Sequence, residues 1–272
     1  MAVRFCAPAL LLLLLPAAPA AAFEVRLAGE FQQGGLVTGA APEGAVVTLD
    51  GKSVPVTSGG SFLIAFGRDA PRRLMLAVRV KGETIFRREI GIRTRVYQVQ
   101  RIDGLPRRKV TPSPADLKRI ARESAAIAAA RATISDDTSF QSGFAWPARG
   151  RVSGVYGSTR ILNGKPRRPH LGLDVAAPEG TPVRAAAAGR VAFAHPGMFF
   201  NGKTVVIDHG LGLSSAYLHM SAITVTAGTR VNKGDMIGRI GMSGRVTGPH
   251  LHWGMRLRAT SVDPALLVPP MK

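Results

Sequence analysis

Glycine interrupts the C-terminal half of this chain every few residues, and the runs between are short, with apolar and other side chains alternating. A period of two is the signature of strands, and closely spaced glycines supply the turns between them. From Phe144 onward the sequence therefore reads as β structure. Gly180-Thr181-Pro182-Val183 leads to Gly189-Arg190-Val191, and the same order returns as Gly228-Thr229-Arg230-Val231 leading to Gly238-Arg239-Ile240. Two such turn-and-strand units point to a duplicated antiparallel β architecture.

Three regions precede it. Residues 1–22 read as an export signal: Arg4 gives a positive start, Ala9 to Leu15 an apolar core, and Ala20-Ala21-Ala22 a small-residue cleavage site. The apolar run is short for a membrane span, so an uncleaved anchor is the weaker reading. The sole cysteine, Cys6, falls within this segment, so the mature chain has no disulfide and no thiolate metal site. Residues 23–97 read as a small, sandwich-like all-β domain. Ala45 to Leu49 runs into the hairpin signal Asp50-Gly51, and strands are expected at Phe62 to Phe66, Leu74 to Val80 and Ile85 to Ile90. It carries no cluster of catalytic side chains, which leaves a spacing, docking or inhibitory role.

Residues 98–143 read as a basic linker with one helix. Ser113-Pro114 is an N-cap followed by proline at the first helical position. Leu117, Ile120, Ser124, Ile127 and Ile134 recur at helical spacing, with Arg131 interrupting, which predicts an amphipathic helix ending near Ile134. Such a helix is marginal alone and is expected to pack on a neighbouring domain.

The formal net charge of +19 favours polyanionic partners. Nucleic acid is the generic one, but single-strand binding needs aromatic platforms among the basic residues. Aromatics make up only 6% of the chain, and an exported protein rarely meets nucleic acid. Anionic envelope material, held peripherally, fits better.

All six histidines, His170, His195, His209, His219, His250 and His252, lie beyond residue 169, so they point to a site in residues 144–272. In His170-Leu171-Gly172-Leu173-Asp174-Val175 a strand would turn the three apolar residues to a core and His170 and Asp174 to the other face, with Gly172 leaving room for an ion. His250-Leu251-His252 turns both imidazoles outward together, and Tyr217 and His219 share a face in the same way. Two imidazoles and a carboxylate with a vacant fourth position form the donor set of catalytic zinc. His209, before Gly210, reads as structural, and His195, before Pro196, as an exposed or groove-lining loop residue.

These segments, with Val205-Val206-Ile207-Asp208-His209-Gly210, Tyr217-Leu218-His219, Gly234-Asp235-Met236-Ile237-Gly238 and Thr247-Gly248-Pro249-His250-Leu251-His252, resemble the lysostaphin-type zinc metallopeptidases, which cleave peptide cross-links in bacterial cell walls. The resemblance spans about Trp146 to Pro264, and the upstream β region and helix look like the leader of some proteobacterial members. It implies a mainly β fold of the duplicated hybrid-motif type with a groove over one zinc ion. It also implies His170, Asp174 and His252 as ligands and His219 and His250 as catalytic histidines, with the general base unassigned between the last two. The implied activity is hydrolysis of peptidoglycan stem-peptide cross-links in the periplasm or cell envelope. The competing reading is a non-catalytic envelope protein of the same fold that binds peptidoglycan or activates other hydrolases, and such relatives typically lack one or more ligands. One departure stands at Gly254, where relatives often carry glutamate.

Overall fold

The computed structural model describes residues 25–271. The expected export segment, with Cys6, lies outside the described residues. Among them no helix is long and apolar enough to cross a membrane.

Upstream, Arg26–Gly29, Leu36–Ala40 and Ser61–Ala65 form one antiparallel sheet. Lys52–Val54, Val46–Leu49, Arg73–Val80 and Glu83–Gly91 form another. Val37, Phe62, Ile64, Phe66, Leu76 and Val78 form the core of this unit. Asp50 and Gly51 both have positive φ, 47° and 73°, the two-residue turn whose twist suits a hairpin. The unit is docked on the larger sheet: Leu36 and Leu63 join the larger core, Arg95 pairs with the buried Asp263 at 2.8 Å, and Arg258 donates to the Leu63 carbonyl.

The helix spans Pro114–Ala130 and starts as expected: the Ser113 side chain accepts from the Asp116 N–H, and the Asp116 carboxylate accepts from the Ser113 N–H. Arg108 also grips that carboxylate with two hydrogen bonds. The helix stops short of the expected Ile134. Beyond it Ser135 accepts from the Leu211 N–H and its hydroxyl bonds Asp208, so contacts with the 208–211 turn draw the chain out of helical conformation. The packed face also differs from the apolar stripe. Leu117 is 55% exposed, while Asp116, Ile120, Glu123 and Ile127 face inward. Glu123 accepts from the Phe199 N–H at 2.7 Å. The helix is anchored by polar bonds, which an apolar period cannot reveal.

The large sheet runs, in spatial order, Arg230–Val231, Gly189–Met198, Gly202–Asp208, Leu213–Ile223, His250–Leu257, Leu173–Ala176 and Arg151–Gly154, every neighbour antiparallel. The sequence echo becomes a reciprocal pairing. The first unit's Pro182–Arg184 pairs with the second unit's Met236–Ile240, and the first unit's Gly189 and Arg190 pair with the second unit's Val231 and Arg230. Gly180 N–H donates to Ile240 O as Gly228 N–H donates to Val191 O, all at 2.8 Å. Gly180 and Gly228 both sit at positive φ, 86° and 91°, which glycine adopts without steric cost. Leu173, Val175, Val183, Tyr217, Ile237, Leu251 and Trp253 fill the core beneath.

His209 belongs to this scaffold. It is fully buried, with Nδ1 2.6 Å from the Ala188 carbonyl, Nε2 2.8 Å from Ser215 Oγ, and its ring edge-on to Phe144. Burial pushes its pKa down to about 4. The folded state therefore resists a proton that the unfolded chain takes up below its ordinary value of 6.5. Stability should be free of this penalty above pH 6.5, fall by about 1 kcal/mol per pH unit as pH drops toward 4, and level off below. Urea titrations across that range should show a shallower decline in His209→Gln, and equal slopes for the two proteins would refute the assignment.

Candidate metal centre

Strand register builds the centre. Asp174 is directly opposite His252 on one side and Gly154 on the other. Along His250–Leu257, Leu251, Trp253, Met255 and Leu257 are buried, so His250 and His252 emerge together on the opposite face, as the alternation predicts. Asp174 Oδ1 lies 2.8 Å from His252 Nδ1 and 3.1 Å from His170 Nε2, and those two nitrogens are 2.9 Å apart. His170 and Asp174 are buried and His252 nearly so.

His170 arrives by a route other than the expected strand. The strand begins at Leu173, Leu171 is 41% exposed, and the His170 backbone bonds to Gly157 and Ser158 instead. Gly172 serves a different purpose from the one its position implies. A Cβ there would lie 2.6 Å from Cε1 and Nε2 of His252, so the glycine makes room for that imidazole rather than for an ion. Gly154 does the same for Asp174, whose Oδ2 would meet a Cβ at 2.3 Å.

His219 also departs from simple alternation. Tyr217 pairs with Trp253 in the core, its hydroxyl accepting from the Ala186 N–H, while Leu218 stands opposite His252. The two therefore do not share a face. His219 reaches the site because its backbone turns left-handed, φ 66°, an uncommon conformation for a non-glycine residue. Its Nδ1–H donates to Ser243 O at 2.8 Å, leaving Nε2 free, and its ring centroid is 4.9 Å from that of His250. His250 donates its Nδ1–H to Gly248 O at 2.9 Å, and its Nε2 is 4.0 Å from Asp174 Oδ1. His195 lies outside this group. It sits on the strand Gly189–Met198 rather than in a loop, stacked on Phe193 and accepting from the Gly197 N–H.

Protonation follows from the surroundings. Burial pushes the His252 pKa down to about 4. Burial, with His250 and His252 nearby, holds His219 well below its ordinary value. Burial raises the Asp174 pKa, but the imidazoles of His170 and His252 against its oxygen prevail and hold it well below the carboxylate range. At neutral pH the centre thus holds a carboxylate at Asp174 and neutral imidazoles at His219 and His252.

Those atoms fit a metal ion. His170 donates Nδ1–H to Val155 O at 3.1 Å, which leaves Nε2 as the ring nitrogen able to offer a lone pair to an ion. Two imidazole nitrogens and a carboxylate oxygen within 3.1 Å of one another crowd electron density that a cation would relieve. Zinc with bonds of about 2.0–2.1 Å separates tetrahedral ligand atoms by about 3.3 Å, close to the observed spacings.

One participant had no local signal in the sequence. Arg160, on the strand Thr159–Leu162, donates from Nη2 to Asp174 Oδ2 at 2.9 Å and so fixes the carboxylate with Oδ1 toward the imidazoles. Its position far from any motif hid it, and only the fold brings it in.

The centre defines a class: two imidazoles and a carboxylate that could hold a metal ion, with flanking imidazoles, on an antiparallel β-sheet. Residues 168–264 match the model of peptidase family M23. A solved structure of a Pseudomonas aeruginosa protein assigned to peptidase M23 superposes with a TM-score of 0.66 at 31% identity, covering 88% of this chain and 95% of that one. The chain belongs to peptidase family M23. It is also 34% identical over 166 residues to the cell division protein DipM of Caulobacter vibrioides, covering 59% of this chain and 26% of DipM. Over 97 residues it is 44% identical to the peptidoglycan DD-endopeptidase ShyA of Vibrio cholerae, covering 35% of this chain and 22% of ShyA. The chain spans about a quarter of the length of these curated relatives.

Two variants test how the centre is held. Gly172→Ala should displace the His252 ring, and Arg160→Met should release Asp174. Each should weaken zinc affinity roughly 10–100-fold in chelator competition, with the far-ultraviolet spectrum unchanged. Unaltered affinity in either would show that its contact does not position the ligand-type atoms.

Proposed function

We propose that this chain is a zinc-dependent endopeptidase that hydrolyses peptide cross-links of bacterial peptidoglycan, with His170, Asp174 and His252 holding one Zn²⁺. The observation that carries the reading is the convergence of three metal-binding atoms within 3.1 Å beside two further imidazoles whose Nε2 atoms are free. When bound, zinc supplies Lewis acidity, lowering the pKa of a water toward about 7 and polarising the scissile carbonyl.

The protein's own groups supply the rest. Val155 O and Arg160 fix the orientation of His170 and Asp174. Ser243 O and Gly248 O each take the Nδ1–H of a flanking imidazole, so His219 and His250 turn Nε2 toward the groove. One accepts the proton of the attacking water, and the other stabilises charge on the substrate oxygen or protonates the leaving amine. A neutral imidazole serves either step, and His219 is kept neutral by its burial. Export to the periplasm or envelope fits both the substrate and the N-terminal segment, and the charge of +19 favours peripheral retention on anionic envelope material. A non-catalytic binding or activating role would leave this complete set of five side chains without a use.

The test is digestion of purified peptidoglycan by the metal-loaded protein, with products identified by mass. Cross-linked fragments should be cleaved, activity should vanish with chelator and return with zinc, and His170→Ala should be inactive. His219→Ala and His250→Ala should keep zinc but lose about 10²-fold or more in kcat. Cleavage insensitive to chelation, or none by zinc-loaded protein, would overturn the proposal.

A further inference from the structure

Beside the centre lies a cleft of about 160 Å³ whose lining includes Asp174, His219 and His250, with Gln100, Arg160 and Arg245 around them. Two of these residues carry buried polar atoms without a hydrogen-bond partner in the structure: Gln100 Oε1 and Arg160 Nε. Gln100 belongs to the strand Val99–Ile102, which pairs in parallel with Thr159–Leu162, so both residues are fixed on one small sheet.

Arg245 is placed just as firmly. Its N–H donates to Phe200 O at 2.9 Å, and its guanidinium lies 4.2 Å over the Phe200 ring. It follows by two residues Ser243, whose carbonyl holds His219. Among the described residues no acidic side chain pairs with Arg245. Burial and the charges of Arg160 and Arg167 push its pKa down to about 10, so it remains a cation at neutral pH. Two guanidinium groups in one cleft, only one of them paired, leave an uncompensated positive charge next to the reacting groups. A hydrophobic or neutral subsite would gain nothing from that arrangement.

We infer that Arg245, with Gln100 lining the same cleft, forms a subsite for a substrate residue bearing a free carboxylate next to the scissile bond. The planar guanidinium fork matches a carboxylate, and burial of Arg245 strengthens that contact. Gln100 Oε1 then accepts an N–H from the same residue, as an amino acid with an unblocked carboxylate presents. The inference rests on the endopeptidase reading and adds to it the charge of the residue beside the bond cut.

Two cross-linked peptides, identical except that one carries a carboxylate and the other a carboxamide beside the scissile bond, provide the test with zinc-loaded protein. The wild type should cleave the carboxylate peptide with roughly 10-fold or greater kcat/KM, expressed mainly in KM. That ratio should fall to near one in Arg245→Met and be partly restored in Arg245→Lys. Each ratio is internal to one preparation, so partial misfolding lowers both rates alike and leaves it intact. Equal cleavage of the two peptides by the wild type, or a preference that survives in Arg245→Met, would overturn the subsite and leave the peptidase reading standing. Cleavage of neither peptide, nor of purified peptidoglycan, would overturn both.

Discussion

The Asp174 carboxylate faces two ways, with Oδ1 toward the His170 and His252 imidazoles and Oδ2 on Arg160, and the rest of the centre is arranged to keep it so. A buried carboxylate is costly unless its oxygens are bonded and its charge is compensated. Arg160 supplies compensation from one side, and a divalent ion between the ligand-type atoms would supply it from the other. The arrangement depends on register, because Asp174 stands opposite both His252 and Gly154. A slip of one residue on either side would bury an imidazole or place a side chain where the carboxylate now sits.

Alternation made part of this legible. Leu251, Trp253, Met255 and Leu257 fall on one face and His250 and His252 on the other, because a strand with one buried face must alternate. The duplicated glycine-threonine turns were legible for a similar reason, since each requires a backbone conformation that glycine adopts readily. The same rule misplaced Tyr217 beside His219, and the cause is local: the left-handed backbone at His219 turns the ring to the site face. It also carried the strand back to His170, although the chain there pairs with Gly157 and Ser158 through bonds that no periodicity encodes. Of the two small residues that matter most sterically, Gly154 looked like any strand glycine, and Gly172 read as room for an ion until His252 was in place above it.

The linker changes meaning once its partners are visible. Basic and proline-punctuated, Gln98 to Pro112 read as a connection, yet Val99–Ile102 completes a sheet with Thr159–Leu162 and Lys165–Arg167. Leu105 and Val110 bury against Leu162 beneath it, and the helix that follows is tied by Glu123 and Arg119 to residues 197–199. A wall of the cleft is therefore built from sequence that precedes the β-rich half and is held from both ends.

That placement separates chemistry from control within one chain. The atoms that could hold a metal ion and both flanking imidazoles lie within residues 168–264, the span matched by the family model. The groups that aim two of them precede that span: Gly154 and Arg160 set Asp174, and Val155 sets His170. So do Gln100, Ile102 and Leu105, which close the cleft. A change in the upstream segment can therefore alter the shape of the cleft, or how rigidly the carboxylate is held, without touching any atom that would bind the ion. Because those upstream contacts are hydrogen bonds and packing against fixed strands, their loss would loosen the centre's geometry before it unfolded the sheet.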